Sequence, residues 1–205
     1  MRTARRAASA WTGSARARAH ASGVKPETAM PDPRALHLAP NGWVPNNPRL
    51  PALLYRQVEP SRGTDATAIA FERRFGRHRW PAGWRDGIFA YHHYHSTAHE
   101  VLGVAAGSAR VMLGGPGGEV VEIEAGDALV LPAGTGHCRE AASDDFLVVG
   151  AYPAGQRWDL CTSAATPAML ERIAAVPVPT SDPASGRGGA LPRMWRGRGA
   201  RDAAG

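Results

Sequence analysis

GIFAYHHYHSTAHEVLGVAAG, residues 87–107, and GDALVLPAGTGHCRE, residues 126–140, decide how this chain is read. His93 and His95 alternate, Glu100 follows five residues after His95, and His137 arrives past a second turn. Side chains of an extended strand repeat with a period of two, which puts Phe89, Tyr91, His93 and His95 on one face and Ala90, His92 and Tyr94 on the other. Neutral imidazole and carboxylate together suit a first-row divalent metal: iron, manganese, nickel, zinc or copper. His99 sits beside Glu100 and competes with it as a donor. Neighbours on a strand face opposite ways, so one of the two points inward, and Glu100 is preferred. Tyr91 shares the ligand face and is read as a substrate-orienting group or as core packing. Arg139 has the parity of His137 and is read as an anion-binding group or as a partner of Glu140 or Asp144. Cys138 should face away from the metal.

Short strands extend in both directions from these stretches. Glu100–Ala105 ends near Gly107, and Ala109–Leu113 alternates in and out. Gly114-Gly-Pro-Gly-Gly118 is the sharpest turn signal in the chain; no helix start or GK[ST] follows it, so a hairpin is expected rather than a phosphate cradle. Glu119–Glu124, Ala128–Leu131 and Phe146–Tyr152 continue the pattern. Six or seven short strands with glycine turns and no crossover helices predict an all-β fold, an antiparallel barrel or double-sheet sandwich.

Upstream, GWVPNNPRLPALLYR (42–56) reads as an extended arm across the core, with residues 36–86 as arm and first strands. Ile69–Phe75 is too short to distinguish strand from helix. Trp80 and Trp84 bracket a Pro-Ala-Gly turn. Downstream of a barrel core at 87–153, the segment 154–195 is expected to hold a helix and an extended tail. In TPAMLERIAAV, Thr166 is an N-cap, Pro167 the first helical residue, and Met169, Leu170, Ile173 and Val176 the apolar stripe.

The net charge of +6 is located in the ends. Residues 1–35 hold seven Lys/Arg against two acids and residues 184–205 five Arg against Asp202, leaving 12 basic and 15 acidic groups between. A core of net −3 gives no basic face for specific nucleic-acid binding. Residues 1–35 are read as a disordered basic leader, a targeting segment or a stretch upstream of a true start near Met30, and 196–205 as disordered. No apolar run reaches the length of a membrane span. Cys138 and Cys161 form no CxxC pair and indicate a reduced, cytoplasmic compartment.

Gly87-x5-His93-x-His95-x4-Glu100-x6-Gly107 resembles the first motif of the cupins, and Gly126-x5-Pro132-x-Gly134-x2-His137 the second. Ala141 stands where the second motif usually ends in Asn. The resemblance implies a jelly-roll barrel, His93, His95, Glu100 and His137 as ligands of one divalent metal, and a homodimer. GWVPNNPRLPALLYR, YHHYHSTAHEVLGV, AGDALVLPAGTGH, VVGAYPAGQ and VPVPTSDPASG are further similar to a bacterial group of single-domain cupins, the YjlB-like proteins, over about residues 40–195. Gly189-Ala190-Leu191 replaces the GPL of that group. The group brings no reaction with it.

Three functions compete: a small-molecule metalloenzyme of dioxygenase or isomerase type, a non-catalytic barrel that binds or senses a small ligand or metal, and a transcription factor. The last lacks a helix-turn-helix segment.

Overall fold

The computed structural model describes residues 30–196. Most of the basic leader and the last nine residues lie outside that range. Met30 and Ala35 pack on the core.

Among the described residues nine strands form two antiparallel sheets. The larger runs β1 (Arg34–Leu36), β2 (Ala52–Tyr55), β7 (Ala128–Leu131), β4 (Glu100–Ala106), β9 (Leu147–Ala151) and β3 (Ala82–Asp86) side by side in that order. The smaller places β5 (Ser108–Leu113) between β6 (Glu119–Glu124) and β8 (His137–Ala142). β5 and β6 pair from Ser108↔Glu124 to Leu113↔Glu119, so the Gly114–Gly118 stretch is the hairpin its composition indicated. Gly114, Gly115 and Gly117 all have positive φ there, a conformation glycine adopts without a Cβ clash.

Alternation on β4 divides the core. Leu102 and Val104 face inward, meeting Leu54, Leu129 and Val148 of their own sheet and Val111, Leu113, Val121 and Ile123 of the smaller one. Val101 and Ala105 face outward, onto α1 (Thr64–Arg77) with Phe71 and Phe75. Gly103 lies between them because the Phe71 ring occupies its place: a Cβ there would sit 2.6 Å from Phe71 Cδ1.

Several elements differ from expectation. The undecided Ile69–Phe75 belongs to the fourteen-residue α1. Trp84 lies on edge strand β3, not at the close of a turn. The strand expected at 89–95 is absent: Gly87–His99 follows an irregular path, touching other segments through single bridges at His93↔His137 and Tyr94↔Cys161. Phe89 and Tyr91 are consequently half-exposed.

The C-terminal segment is a structural strap. α2 (Pro167–Ala175) starts as predicted, with Thr166 Oγ1 accepting from Met169 N and Ile173 buried. α3 (Ala190–Trp195) inserts Leu191 and Trp195 into the outer core. Fully buried Asp182 joins strap to sheet: its carboxylate accepts from the Tyr55 hydroxyl at 2.6 Å and from the backbone N–H groups of Ala184, Ser185 and Leu191. A buried carboxylate so fully paired is stabilising rather than costly.

Candidate metal centre

His93, His95 and His137 are buried and bring ring nitrogens within 4.8 Å of one another. They reach that point from separate parts of the chain. His137 opens β8, and its backbone pairs reciprocally with that of His93: His93 N donates to His137 O at 3.2 Å, and His137 N to His93 O at 2.9 Å. Glu100 opens β4 with the inward parity of Leu102. Its Oε2 lies 3.3 Å from His95 Nε2 and 3.4 Å from His137 Nε2.

The proton positions follow from the partners. His93 Nδ1 faces Tyr91 O at 3.1 Å, His137 Nδ1 faces Thr135 O at 3.2 Å, and His95 Nδ1 faces Asp159 O. A carbonyl oxygen only accepts, so each Nδ1 carries the hydrogen and each Nε2 presents a lone pair. Glu100 Oε2 is buried without a hydrogen-bond partner. Three imidazole Nε2 atoms and one carboxylate oxygen therefore converge on one point, and no hydrogen-bond donor elsewhere among the described residues serves that oxygen. Such a set is unfavourable alone and fits a divalent cation. His93, His95, Glu100 and His137 are the residues that would hold it.

Electrostatics follow the same crowding. Burial, with the neighbouring His93 and His95, drives the His137 imidazole down to about 3. Burial also lowers His93. Burial opposes the charge on Glu100, yet His95, His137 and the Tyr152 hydroxyl outweigh it and hold the carboxyl at about 2. His95 moves up because the attraction of Glu100 exceeds its burial cost.

His99 points to the opposite side of β4. Its Nδ1 accepts from Ala133 N at 2.9 Å, its ring packs on Trp195 with centroids 4.7 Å apart, and burial drives it to about 3. Its Nε2–H lies near the carbonyls of Pro177 and Val176 without reaching hydrogen-bond geometry. Cys138 faces away from the histidines, its thiol toward Arg139 O.

The imidazoles open onto a cavity of about 220 Å³ walled by Trp84, Ile88, Phe89, Leu102, Tyr152 and Trp158. A wider trough of about 790 Å³ between Arg56–Gln57 and the β5–β6–β8 sheet holds none of the histidines. Two residues expected near the substrate do not line the cavity. Tyr91 is stacked on Phe89, centroids 4.9 Å apart. Arg139 donates its Nε to Ile88 O at 2.9 Å, while Arg110 takes Glu140 instead. In their place stand two residues the sequence did not single out. Tyr152 donates to Glu100 Oε1 at 2.7 Å, and Trp158 lies 5.7 Å from the His95 ring. Nothing in local spacing marked either one, though both fall within or near the VVGAYPAGQ stretch.

Two antiparallel sheets packed face to face, with three histidines and a glutamate from two glycine-bounded motifs inside them, define a cupin. Residues 79–149 match the family described as "Cupin domain". A Bacillus subtilis (strain 168) protein, "Uncharacterized protein YjlB", is 35% identical over 157 residues, covering 76% of this chain and 92% of that protein. The chain belongs to the YjlB-like cupins. Solved structures resemble it more remotely. Procruciferin, an 11S globulin from Brassica napus, shows 18% identity and a TM-score of 0.34 over 57% of this chain and 28% of its own. Streptomyces albus HEPD with substrate 2-hydroxyethylphosphonate and Fe(II) bound shows 14% identity and a TM-score of 0.24 over 65% of this chain and 22% of its own. The chain thus spans less than a third of the length of either. Among the described residues no helix is long and apolar enough to cross a membrane.

Proposed function

We propose that this cupin is a small-molecule metalloenzyme of dioxygenase or isomerase type, with one divalent metal held by His93, His95, Glu100 and His137. The observation that carries the reading is the convergence of three imidazole nitrogens and one carboxylate oxygen on a cavity. A structural metal site is closed by its protein ligands, whereas these side chains border a space that admits a small molecule. A bound divalent metal supplies Lewis acidity there, polarising a substrate oxygen or bringing a water proton near neutral pKa. The chain's own residues do the rest. The carbonyls of Tyr91, Thr135 and Asp159 fix the tautomer and aim of each imidazole. Leu102, Ile88 and the aromatic walls give the cavity an apolar lining. Tyr152 holds Glu100 by one oxygen and leaves the other facing the histidines.

A second reading, a non-catalytic barrel that binds or senses a ligand, draws support from the commitment of the nearby polar groups. Arg85 on the cavity wall is bound bidentately by Glu72, at 2.7 and 2.9 Å. The Tyr152 hydroxyl is engaged on both sides, leaving no poised acid or base among these groups. Elemental analysis of protein purified without an affinity-metal step tests the metal, and oxygen uptake by loaded protein with small aromatic and diketone compounds tests turnover. Near-equimolar metal with turnover supports the enzyme; ligand binding without turnover supports the binder; a site that takes up no metal removes the enzyme and leaves the ligand-binding barrel.

The wider setting is proposed on the same footing: a cytoplasmic protein, acting on a small molecule rather than nucleic acid, and assembled as a homodimer. Half-exposed Leu170 on α2 supports a contact there. Leu170→Glu should convert a dimer to monomer in light scattering.

A further inference from the structure

Seven large hydrophobic residues are exposed among the described residues, and three of them are aromatic: Phe89 at 46%, Tyr91 at 45% and Trp158 at 49%. All three stand around the imidazole cluster. Phe89 meets the His93 ring at 5.2 Å and stacks on Tyr91. Trp158 meets His95 at 5.7 Å and lies nearly parallel to Tyr152, 21° between planes. Phe89 and Trp158 line the cavity while Tyr91 backs Phe89, and aromatic surface left uncovered on a cavity wall, rather than scattered, marks a place where a ligand covers it.

The charges narrow the ligand further. Arg85 is the cation on the wall, and Glu72 occupies its guanidinium. Asp86 adds a negative carboxylate at the lip. Among the described residues lining the cavity, therefore, no unpaired cation awaits a phosphate or a second carboxylate. Ile88, Leu102, Phe89 and Trp158 offer too few polar partners for a sugar, whose hydroxyls would be stripped of water without replacement. Three neutral imidazoles, one carboxylate and a divalent ion sum to a single positive charge, which one anionic oxygen neutralises. The volume of about 220 Å³ falls below the roughly 300–1,000 Å³ of pockets for drug-sized ligands, and suits one ring.

We propose that the cavity binds a single-ring aromatic monoanion, its ring between the Phe89 and Trp158 walls and its anionic oxygen toward the three imidazoles. This rests on the metal centre proposed above. Trp158 and Phe89 both line the cavity and both keep about half of their surface exposed, so each offers ring surface to a ligand there.

Benzoate, cyclohexanecarboxylate and acetate carry the same head and differ in the ring, so they test the proposal directly. Protein of measured zinc content would be titrated with each, followed by calorimetry, beside Trp158→Ala and a chelator-treated sample. Benzoate is expected to bind about tenfold tighter than acetate and several-fold tighter than cyclohexanecarboxylate, an advantage of the size expected for ring stacking. Trp158→Ala should erase that preference with zinc content unchanged. Equal affinity for benzoate and acetate, or for benzoate and cyclohexanecarboxylate, in zinc-loaded protein overturns the aromatic assignment and leaves the metal centre intact. Protein that takes up no zinc yet binds benzoate through Trp158 retains the aromatic walls and refutes the metal centre, so the two failures are distinct.

Discussion

The Tyr152 hydroxyl hydrogen points at Glu100 Oε1. It has no alternative, because the same oxygen accepts from Trp84 Nε1 at 2.7 Å and gives its hydrogen to Glu100 at 2.7 Å. Trp84 in turn is flat against Gly150, where a Cβ would fall 2.0 Å from Trp84 Cε2. A chain of contacts from a side-chain-free position on β9 thus orients the carboxylate that completes the candidate centre.

Tyr152→Phe keeps the ring and removes that hydrogen bond. Glu100 then swings more freely, and metal affinity should fall about 10-fold, the low end for loss of a group that orients a ligand. Competition against a chromophoric chelator measures it; unchanged affinity would show that Glu100 needs no such support.

His95→Ala and His137→Ala should each release the metal while the barrel stays folded, since the apolar faces of β4, β5, β7 and β9 are untouched. Metal stoichiometry and far-ultraviolet circular dichroism read the two halves separately. Full stoichiometry in both variants would sink the ligand assignment.

Glu100→Gln and His99→Gln divide a pair that sequence alone left open. The first should lose most of the metal. The second should keep it and lower thermal stability instead, because it disturbs the contact with Trp195 and the bond from Ala133 N.

His99 also gives a pH signature. Its folded value of about 3 lies below the ordinary 6.5, so the unfolded chain binds the proton more readily. Stability is full above 6.5 and falls as pH drops from 6.5 toward 3, with a limiting slope of about 1.4 kcal/mol per pH unit for each such proton. Chelator-treated protein should show this acid limb in urea titrations, with His137 contributing in the same direction. His99→Gln should flatten it by one proton; an unchanged slope would assign the acid sensitivity elsewhere.

Gly103→Ala places a methyl against the Phe71 ring and should cost about 1–3 kcal/mol by overpacking, seen as a lower urea midpoint with metal content retained.

Legibility in the sequence tracked the range of the interactions. β6 and β7 coincide with the segments read on either side of the Gly126-Asp127 turn, and α2 with its Thr166-Pro167 start, because caps and turns are local signals. α1 was undecided because arginine and glutamate surround its narrow buried stripe of Thr67, Ala68, Phe71 and Phe75. Pro81 and Gly83 read as a turn in the sequence, yet an edge strand such as β3 tolerates both at its start. The period of two grouped Phe89, Tyr91 and His93 correctly as neighbours but wrongly implied a strand: outside a ladder, nothing obliges Phe89 and Tyr91 to be buried. Tyr152 and Trp158 escaped notice because their meaning comes from Glu100 and His95, more than fifty residues away in the chain.

Asp182 and Trp195 set where this chain can be cut. The matched stretch 79–149 omits β1 and β2, which are hydrogen-bonded members of the larger sheet, and also omits the strap whose Trp195 indole donates to Pro51 O at 2.9 Å. Since Trp195 packs on His99, the neighbour of Glu100, shortening the carboxyl end reaches the histidine cluster through two residues. Boundaries drawn around the matched stretch would strip β7 of its partner β2 and the outer core of Leu53, Tyr55, Leu191 and Trp195. A tag or fusion partner placed inside residues 30–196 would instead load β1, β2 or the strap directly.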